Sequence, residues 1–214
     1  MSSFSEFLES ISWYHWLIIL LALTILCALL VEIIYFIRTF NCVFYAKFIK
    51  KRIHILEKCS VGGICLTRDI DTMLNHMNNA RYFRELDLAR IDFYLRTRLY
   101  DEVRKNRGQI VLANANIRFR KFIPVFGRFK ITTKALYWND DSLFLEHKFI
   151  GKNGVIHAIL LCEQKFIKCS GENVINALLS QGDPVLSKPE MPLEVTKFLE
   201  FQEVSRKTLS SSTV

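Results

Sequence analysis

The densest reactive chemistry in this chain sits in His76-Met77-Asn78-Asn79-Ala80-Arg81-Tyr82, preceded at short range by Asp69-Ile70-Asp71. Set at the start of a helix, such a loop suits the capture of an acyl carbonyl, because the helix dipole and its free N–H groups favour developing negative charge. The same residues also suit a plainer role: Asn at a helix start caps free backbone N–H groups, and Asp is a common turn or cap carboxylate. Both roles stand at the level of local chemistry.

The loop needs a helix behind it and a sheet to set it against. Asn79 to about Asn106 is expected to be helical, because Tyr82, Leu86, Ala89 and Phe93 fall at spacings of four, three and four and make one apolar stripe. Asp92 and Arg96 form an i,i+4 pair on its other side, and Gly108 stops it. Before the loop, Ile64 to Ile70 reads as a short extended segment bounded by Gly62-Gly63.

After Gly108 the period falls to two. Ala113, Ala115, Ile117 and Phe119 alternate with Asn114, Asn116, Arg118 and Arg120 in a strand with one wet face. Phe129, Ile131 and Thr133 mark a second strand, Leu143, Leu145, His147 and Phe149 a third, and Val155 to Phe166 a more continuously apolar fourth. Pro124 and Gly127 break the first pair, Asn139-Asp140-Asp141 the second, and Gly151-Lys152-Asn153-Gly154 is a hairpin turn. Glu172 to Leu179 and Leu193 to Leu209 read as two further helices.

The 214 residues allow one full globular domain after an apolar N-terminal run. Leu17 to Ile37 is 21 residues, about 31 Å as a helix, which matches a bilayer core. Trp13, Tyr14 and Trp16 stand at one end and Tyr35 near the other, as interfacial aromatics do. Its single charge, Glu32, costs about 3 kcal/mol at mid-bilayer, and the run's fifteen Leu, Ile, Val and Phe residues outweigh that on the same scale. Glu6 and Glu9 precede the run with no Lys or Arg, whereas Arg38, Lys47, Lys50, Lys51 and Arg52 follow it. The positive-inside rule then places the large domain in the cytosol, on a single-pass membrane protein of the endoplasmic reticulum by default. A cleaved signal peptide, which would leave a secreted domain, calls for a basic n-region and a small-residue cleavage site, and neither is visible.

The net charge is +8. The juxtamembrane bases suit anionic lipid headgroups. A second cluster, Arg118, Arg120, Lys121, Arg128, Lys130 and Lys134, has no intervening acid. It suits a solvated face, or the phosphates of RNA or of a carrier such as coenzyme A; no nucleic-acid motif accompanies it. The six cysteines show no compact disulfide or zinc spacing, and no Gly-rich phosphate loop or Gly-x-Ser-x-Gly elbow appears. Neither a metal nor a tightly held cofactor is expected.

A short strand, a long helix and four mainly antiparallel strands is the order of a curved sheet wrapped around a central helix. Asp69-Ile70-Asp71 followed by His76 to Tyr82 resembles the D-x-D…H-x-N-N-x-x-Y signature of hotdog-fold acyl thioesterases of the 4-hydroxybenzoyl-CoA thioesterase type. The resemblance covers roughly residues 60–170. It leaves outside it a short N-terminal segment (1–16), the membrane helix (17–37), a basic linker (38–59), a helical extension (171–209) and a tail (210–214).

The resemblance implies an α+β hotdog fold and a homodimer with an acyl-thioester site at the subunit interface. The substrate it implies is an acyl-CoA or related acyl thioester, with coenzyme A entering only as part of that substrate. It assigns catalysis to Asp71, His76 and Asn78, and substrate contacts to Asn75, Asn79 and Tyr82. In the commonest family spacing the carboxylate lies four residues before His; here Thr72 holds that place and Asp71 lies one residue further back. The position before His, frequently Gly in the family, is Asn75, and Leu74 stands where some acyl-carrier thioesterases have Asn. Glu85 and Asp87 are the alternative carboxylates, read more simply as surface charges paired with neighbouring Arg. A membrane-anchored thioesterase acting on fatty acyl chains in lipid metabolism is one expectation. A non-catalytic hotdog that binds acyl or lipid ligands, or scaffolds partners at a membrane, is the other.

Overall fold

A computed structural model describes residues 12–30, 33–71, 73, 75–180 and 188–211. The chain divides into two compact units, 1–41 and 42–214. In the first, α1 (Trp13–Leu30) presents exposed apolar side chains from Trp13 to Leu26, and α2 (Ile33–Phe44) follows. The expected span 17–37 crosses residues 31 and 32, which lie outside the described residues, as do Glu6, Glu9, Glu32 and the tail from Ser212. Among the described residues, no helix is long and apolar enough to cross a membrane.

The second unit is built on a five-stranded antiparallel sheet. Its strands are β1 (Cys59–Ile64), β2 (Gln109–Phe119), β3 (Arg128–Trp138), β4 (Ser142–Gly151) and β5 (Ile156–Ile167), in the order β1-β3-β4-β5-β2. Helix α3 (Asn79–Arg96) lies on one face. Its stripe of Tyr82, Leu86, Ala89 and Phe93 is buried as expected, against alternate sheet residues such as Ile131, Leu145, Phe149 and Cys162. At the far end of α3, α4 (Leu99–Lys105) and α5 (Gly171–Leu179) close the core, where Val174 and Ile175 pack with Phe93, Trp138 and Leu143. Helix α6 (Leu193–Ser211) covers part of the other sheet face with Val195 and Phe198 against Phe144. A polar chain fixes it there: Ser142 Oγ donates to Glu163 Oε1 at 2.6 Å, and Gln202 Nε2 donates to Glu163 Oε2 at 2.8 Å. The α+β hotdog arrangement is therefore present.

Several local expectations are corrected. Gly62 and Gly63 do not precede the first strand but lie inside it, and residues 67–69 turn as a short 3-10 helix instead of continuing extended. Gly63 is fitted to its place, because a side-chain carbon there would stand 2.5 Å from the Phe129 ring. The expected helix from Asn79 to Asn106 is two helices. Arg98 takes a left-handed conformation at φ 62°, and the Thr97 hydroxyl donates to the Phe93 carbonyl at 2.7 Å, which ends the first helix.

In β2 the register slips between Leu112 and Asn114, so Ala113 is a bulge residue and faces solvent. Leu112 turns to the core in its place, while Ala115 and Ile117 face the core as expected. The Asp92 and Arg96 pair is also more than a surface pair. Asp92 is wholly buried and is held by Lys50 Nζ at 2.5 Å as well as Arg96 Nη1 at 3.5 Å, which clamps the incoming chain to α3. Asp92→Ala leaves those cations without their buried partner and is expected to destabilise the domain by about 3 kcal/mol. The readout is a lower urea midpoint at unchanged slope.

Candidate functional site

The loop from Leu66 to Asn78 is tied down at several points before it reaches α3. Asp69 closes the 3-10 turn by accepting the Leu66 amide on Oδ2 at 3.0 Å, and its carbonyl accepts the Asn78 amide at 2.8 Å. Arg81 reaches back from the first turn of α3, donating to the Arg68 carbonyl at 3.0 Å and lying 3.8 Å from Asp69 Oδ1. Asp69 is nearly buried, so the first carboxylate of the Asp-x-Asp pair serves the loop's own geometry. Further along, the Asp71 amide donates to the His76 carbonyl at 2.7 Å, pinching the chain together between these two residues.

That pinch brings Asp71 to Asn78. Asp71 Oδ1 accepts the Met73 amide at 3.1 Å, and Oδ2 accepts from Asn78 Nδ2 at 3.4 Å. The other side of the Asn78 carboxamide caps α3, its Oδ1 accepting the Ala80 amide at 2.9 Å. One Asn thus both starts the helix and holds a partly exposed carboxylate at the positive end of the helix dipole. Thr72 and Leu74, the other family positions considered, lie outside the described residues.

His76 is nearly buried. Its ring lies 4.0 Å, centroid to centroid, from the ring of Phe122, and its backbone pairs with Pro124. The Met77 amide donates to the Ile123 carbonyl at 2.8 Å, so the loop between β2 and β3 forms one wall of the site. Phe122 itself is largely exposed, as are Phe126 and Met73. Sequence reasoning did not find Phe122, because a single aromatic between a basic run and a Pro-Gly break carries no period.

Asn75 adopts a left-handed backbone at φ 50° and is exposed. Asn79 is the first residue of α3 and is also exposed. Tyr82 stands apart from them in the core. It is 2% exposed, its ring centroid 5.1 Å from that of Phe119 and 4.8 Å from that of Phe149. Burial pushes its hydroxyl up to about 12, partly offset by a hydrogen bond with the Ile123 backbone.

Of the alternative carboxylates, Asp87 pairs with Arg90 as expected. Glu85 does not sit on the surface: it is buried behind β1, near Gly63. The histidines of the strands are placed differently from each other. His147 is wholly buried, its Nδ1 2.9 Å from the Thr133 hydroxyl, and burial and then the nearby Arg90 lower it to about 3. His157 is the second residue of β5, with Nδ1 3.2 Å from the Lys121 carbonyl.

The profile of the thioesterase-like superfamily matches residues 65–201, which contain this whole site. Protein THEM6 of Drosophila melanogaster is 34% identical over 195 residues, covering 91% of this chain and 97% of that protein. Protein THEM6 of Xenopus laevis is 30% identical over 196 residues, covering 90% and 93%. Among solved structures, the probable thioesterase YbaW of Escherichia coli superposes with a TM-score of 0.53 at 22% identity, over 57% of this chain and 96% of its own. The hypothetical protein TT1821 of Thermus thermophilus gives 0.50 at 17% identity, over 57% and 95%. These two likenesses concern the fold.

Proposed function

This chain belongs to the thioesterase-like superfamily, and from that premise we propose that it hydrolyses acyl-CoA thioesters at the loop between Asp71 and Asn79. The observation that carries the reading is the Asp71 carboxylate held by Asn78 at the start of α3, beside His76. In this reading the thioester carbonyl lies at the helix start, where the Asn79 amide and the dipole stabilise the oxyanion. Asp71 acts as base for water or as the nucleophile, and the products are a carboxylic acid and a free thiol. His76 and Asn78 position the reactants, and Asn75 and Asn79 line the approach. Coenzyme A enters as part of the substrate, and no metal or separate cofactor takes part.

A homodimer fits the sheet. β2 is an edge strand of 11 residues with Val111 and Phe119 exposed, and long uncovered edges invite pairing with another chain. Membrane anchoring through the N-terminal run, with the catalytic unit in the cytosol at the endoplasmic reticulum, is supported by the exposed apolar surface of α1 and by the bases that follow it. Acyl chains leaving a bilayer would then meet the exposed Phe122 ring beside His76.

The test is thiol release from acyl-CoAs of several chain lengths by the full chain in neutral detergent. Saturable binding without any turnover would instead favour the non-catalytic hotdog. Asn78→Ser separates the two duties of Asn78. Serine still caps a helix, so stability is expected to change by about 0.5 kcal/mol or less. The amide donor to Asp71 is lost, and turnover is expected to fall about tenfold through misplacement of the carboxylate.

A further inference from the structure

A cleft of about 510 Å³ lies at the end of α3 remote from the thioester loop, lined by Arg52, His54, Arg96 and Arg98 with Thr97 and Leu178. No Asp or Glu is among its described lining residues. The four basic side chains come from two stretches of chain that are laced together. The Ile53 amide donates to the Arg96 carbonyl at 3.2 Å, Arg96 Nε donates to the Lys51 carbonyl at 3.0 Å, and Lys50 holds the buried Asp92. Ile55, 1% exposed, then packs in the core cluster of Phe93, Leu99 and Leu178. The backbone that carries Arg52 and His54 is thus fixed before and after them.

His54 is the unusual member. Its Nδ1 accepts the Leu56 amide at 3.3 Å, which places the ring proton of the neutral imidazole on Nε2. That Nε2 is buried and has no hydrogen-bond partner among the described residues. A buried N–H without an acceptor is costly, and an anion seated against His54 relieves it. Three guanidinium groups around one cleft also repel each other, which an anion relieves as well. The acids close by are otherwise engaged. Asp92 is wholly buried and shared between Lys50 and Arg96, Glu57 accepts the His54 amide, and Asp101 and Glu102 line a separate hollow with Arg98 and Lys105. The dipole at the end of α3 explains a base or two in its last turn. It explains neither a third guanidinium carried in by the preceding chain nor the imidazole N–H.

Two features choose the ligand. Planar guanidinium forks and an N–H donor suit a phosphate, and a monoester more than a diester, because a monoester offers three free oxygens and a charge of about −1.5 to −2. The chain that brings Arg52 and His54 is preceded at once by Phe44, Tyr45, Phe48 and Ile49, all exposed, at the end of α2 and in the π-helical turn Tyr45–Ile49. Exposed apolar side chains beside a row of bases compose a segment suited to a bilayer interface. We propose that this cleft binds the phosphate monoester headgroup of an anionic lipid, with Arg52 and Arg98 as its principal contacts. The choice of a lipid rests on the membrane reading above; the phosphate contact does not. A soluble phosphate monoester is the other source of the same chemistry.

The test is calorimetric titration of the full chain in neutral detergent with dioctanoyl phosphatidic acid, dioctanoyl phosphatidylglycerol and glycerol 3-phosphate. Wild type is expected to bind phosphatidic acid about tenfold more tightly than phosphatidylglycerol, whose phosphate is a diester, with affinity falling as salt rises. Glycerol 3-phosphate, the same headgroup without its apolar chains, should bind about tenfold more weakly than phosphatidic acid. The Arg52→Glu/Arg98→Glu variant should lose the preference for phosphatidic acid. Arg52 is exposed, and Arg52→Lys keeps its charge but not its planar fork, so that variant should lose several-fold and guards against misfolding. Lys165→Ala, on β5 and outside the cleft, should bind as wild type does.

Equal affinity of wild type for the two lipids, or phosphatidic acid binding unmoved in the double variant, overturns the proposal. Glycerol 3-phosphate binding as tightly as phosphatidic acid overturns the lipid assignment and makes the cleft a site for a soluble phosphate ester. Resistance of the full chain to alkaline carbonate extraction reads the anchor by itself, so loss of the anchor and loss of the headgroup site are seen apart. Arginine-dependent phosphatidic acid binding without acyl-CoA turnover supports the lipid site and sinks only the enzymatic reading. Turnover with no preference between the lipids does the reverse.

Discussion

Asp71→Asn is expected to lower turnover of an acyl-CoA by about two to four orders of magnitude, the usual contribution of a positioned base, while the domain stays folded. The substitution is chosen for what it keeps. Asn retains an oxygen to accept the Met73 amide, now received by Asp71 Oδ1 at 3.1 Å, so the turn survives. What disappears is the charge beside Asn78 and with it the proton acceptor or nucleophile. KM should change little, because Asp71 meets the reacting atoms more than it binds the carrier. If Asp71 only closes the turn, the variant will turn over like wild type, and the catalytic assignment fails. Glu85→Gln is the comparison. Glu85 is buried behind β1, and in the present reading its loss alters stability before it alters chemistry. Loss of turnover in that variant alone would move the base from the loop to the helix.

The sequence made the helix start legible and left the loop before it unresolved, for physical reasons. A cap and a stripe are local: Asn78 caps α3, and Tyr82, Leu86, Ala89 and Phe93 line one face because both follow from the backbone period alone. The pinch between Asp71 and His76 depends on a turn whose shape no period encodes. Asn75 is instructive here. Its left-handed φ of 50° is a conformation that Gly adopts freely and Asn tolerates better than other residues, which gives a backbone reason for Gly or Asn at that place.

Tertiary context decided the remaining differences. Ala113 continues a perfect alternation on paper, but the bulge turns it outward and brings Leu112 inward. Asp92 and Glu85 read as solvent charges because carboxylates usually are. They are buried because Lys50 arrives from a residue 42 positions earlier and because β1 packs over the helix. No local pattern announces either event.

The stability of the domain is expected to fall on acidification by about 1.4 kcal/mol per pH unit through His147 alone, between about pH 6.5 and about pH 3. His147 is wholly buried among the sheet and α3, with only the Thr133 hydroxyl bonded to Nδ1. Desolvation first, and the Arg90 charge second, oppose its protonation, so its value in the folded protein lies at about 3 against an ordinary 6.5. Above pH 6.5 the ring is neutral in both folded and unfolded chains and contributes no pH dependence. Below it the unfolded chain binds a proton that the folded chain refuses, and unfolding gains from every further unit of acid until the folded ring also titrates.

Other groups add their own slopes, so the measurement is a difference. Urea unfolding of wild type and His147→Gln is followed from pH 7 to pH 4. Gln keeps a partner for Thr133 and carries no titrating proton. The variant's curve should be flatter by close to the stated slope below pH 6.5, whatever its stability at pH 7. Parallel curves would mean that His147 takes up a proton without leaving its place, which its burial beside the Arg90 charge does not allow.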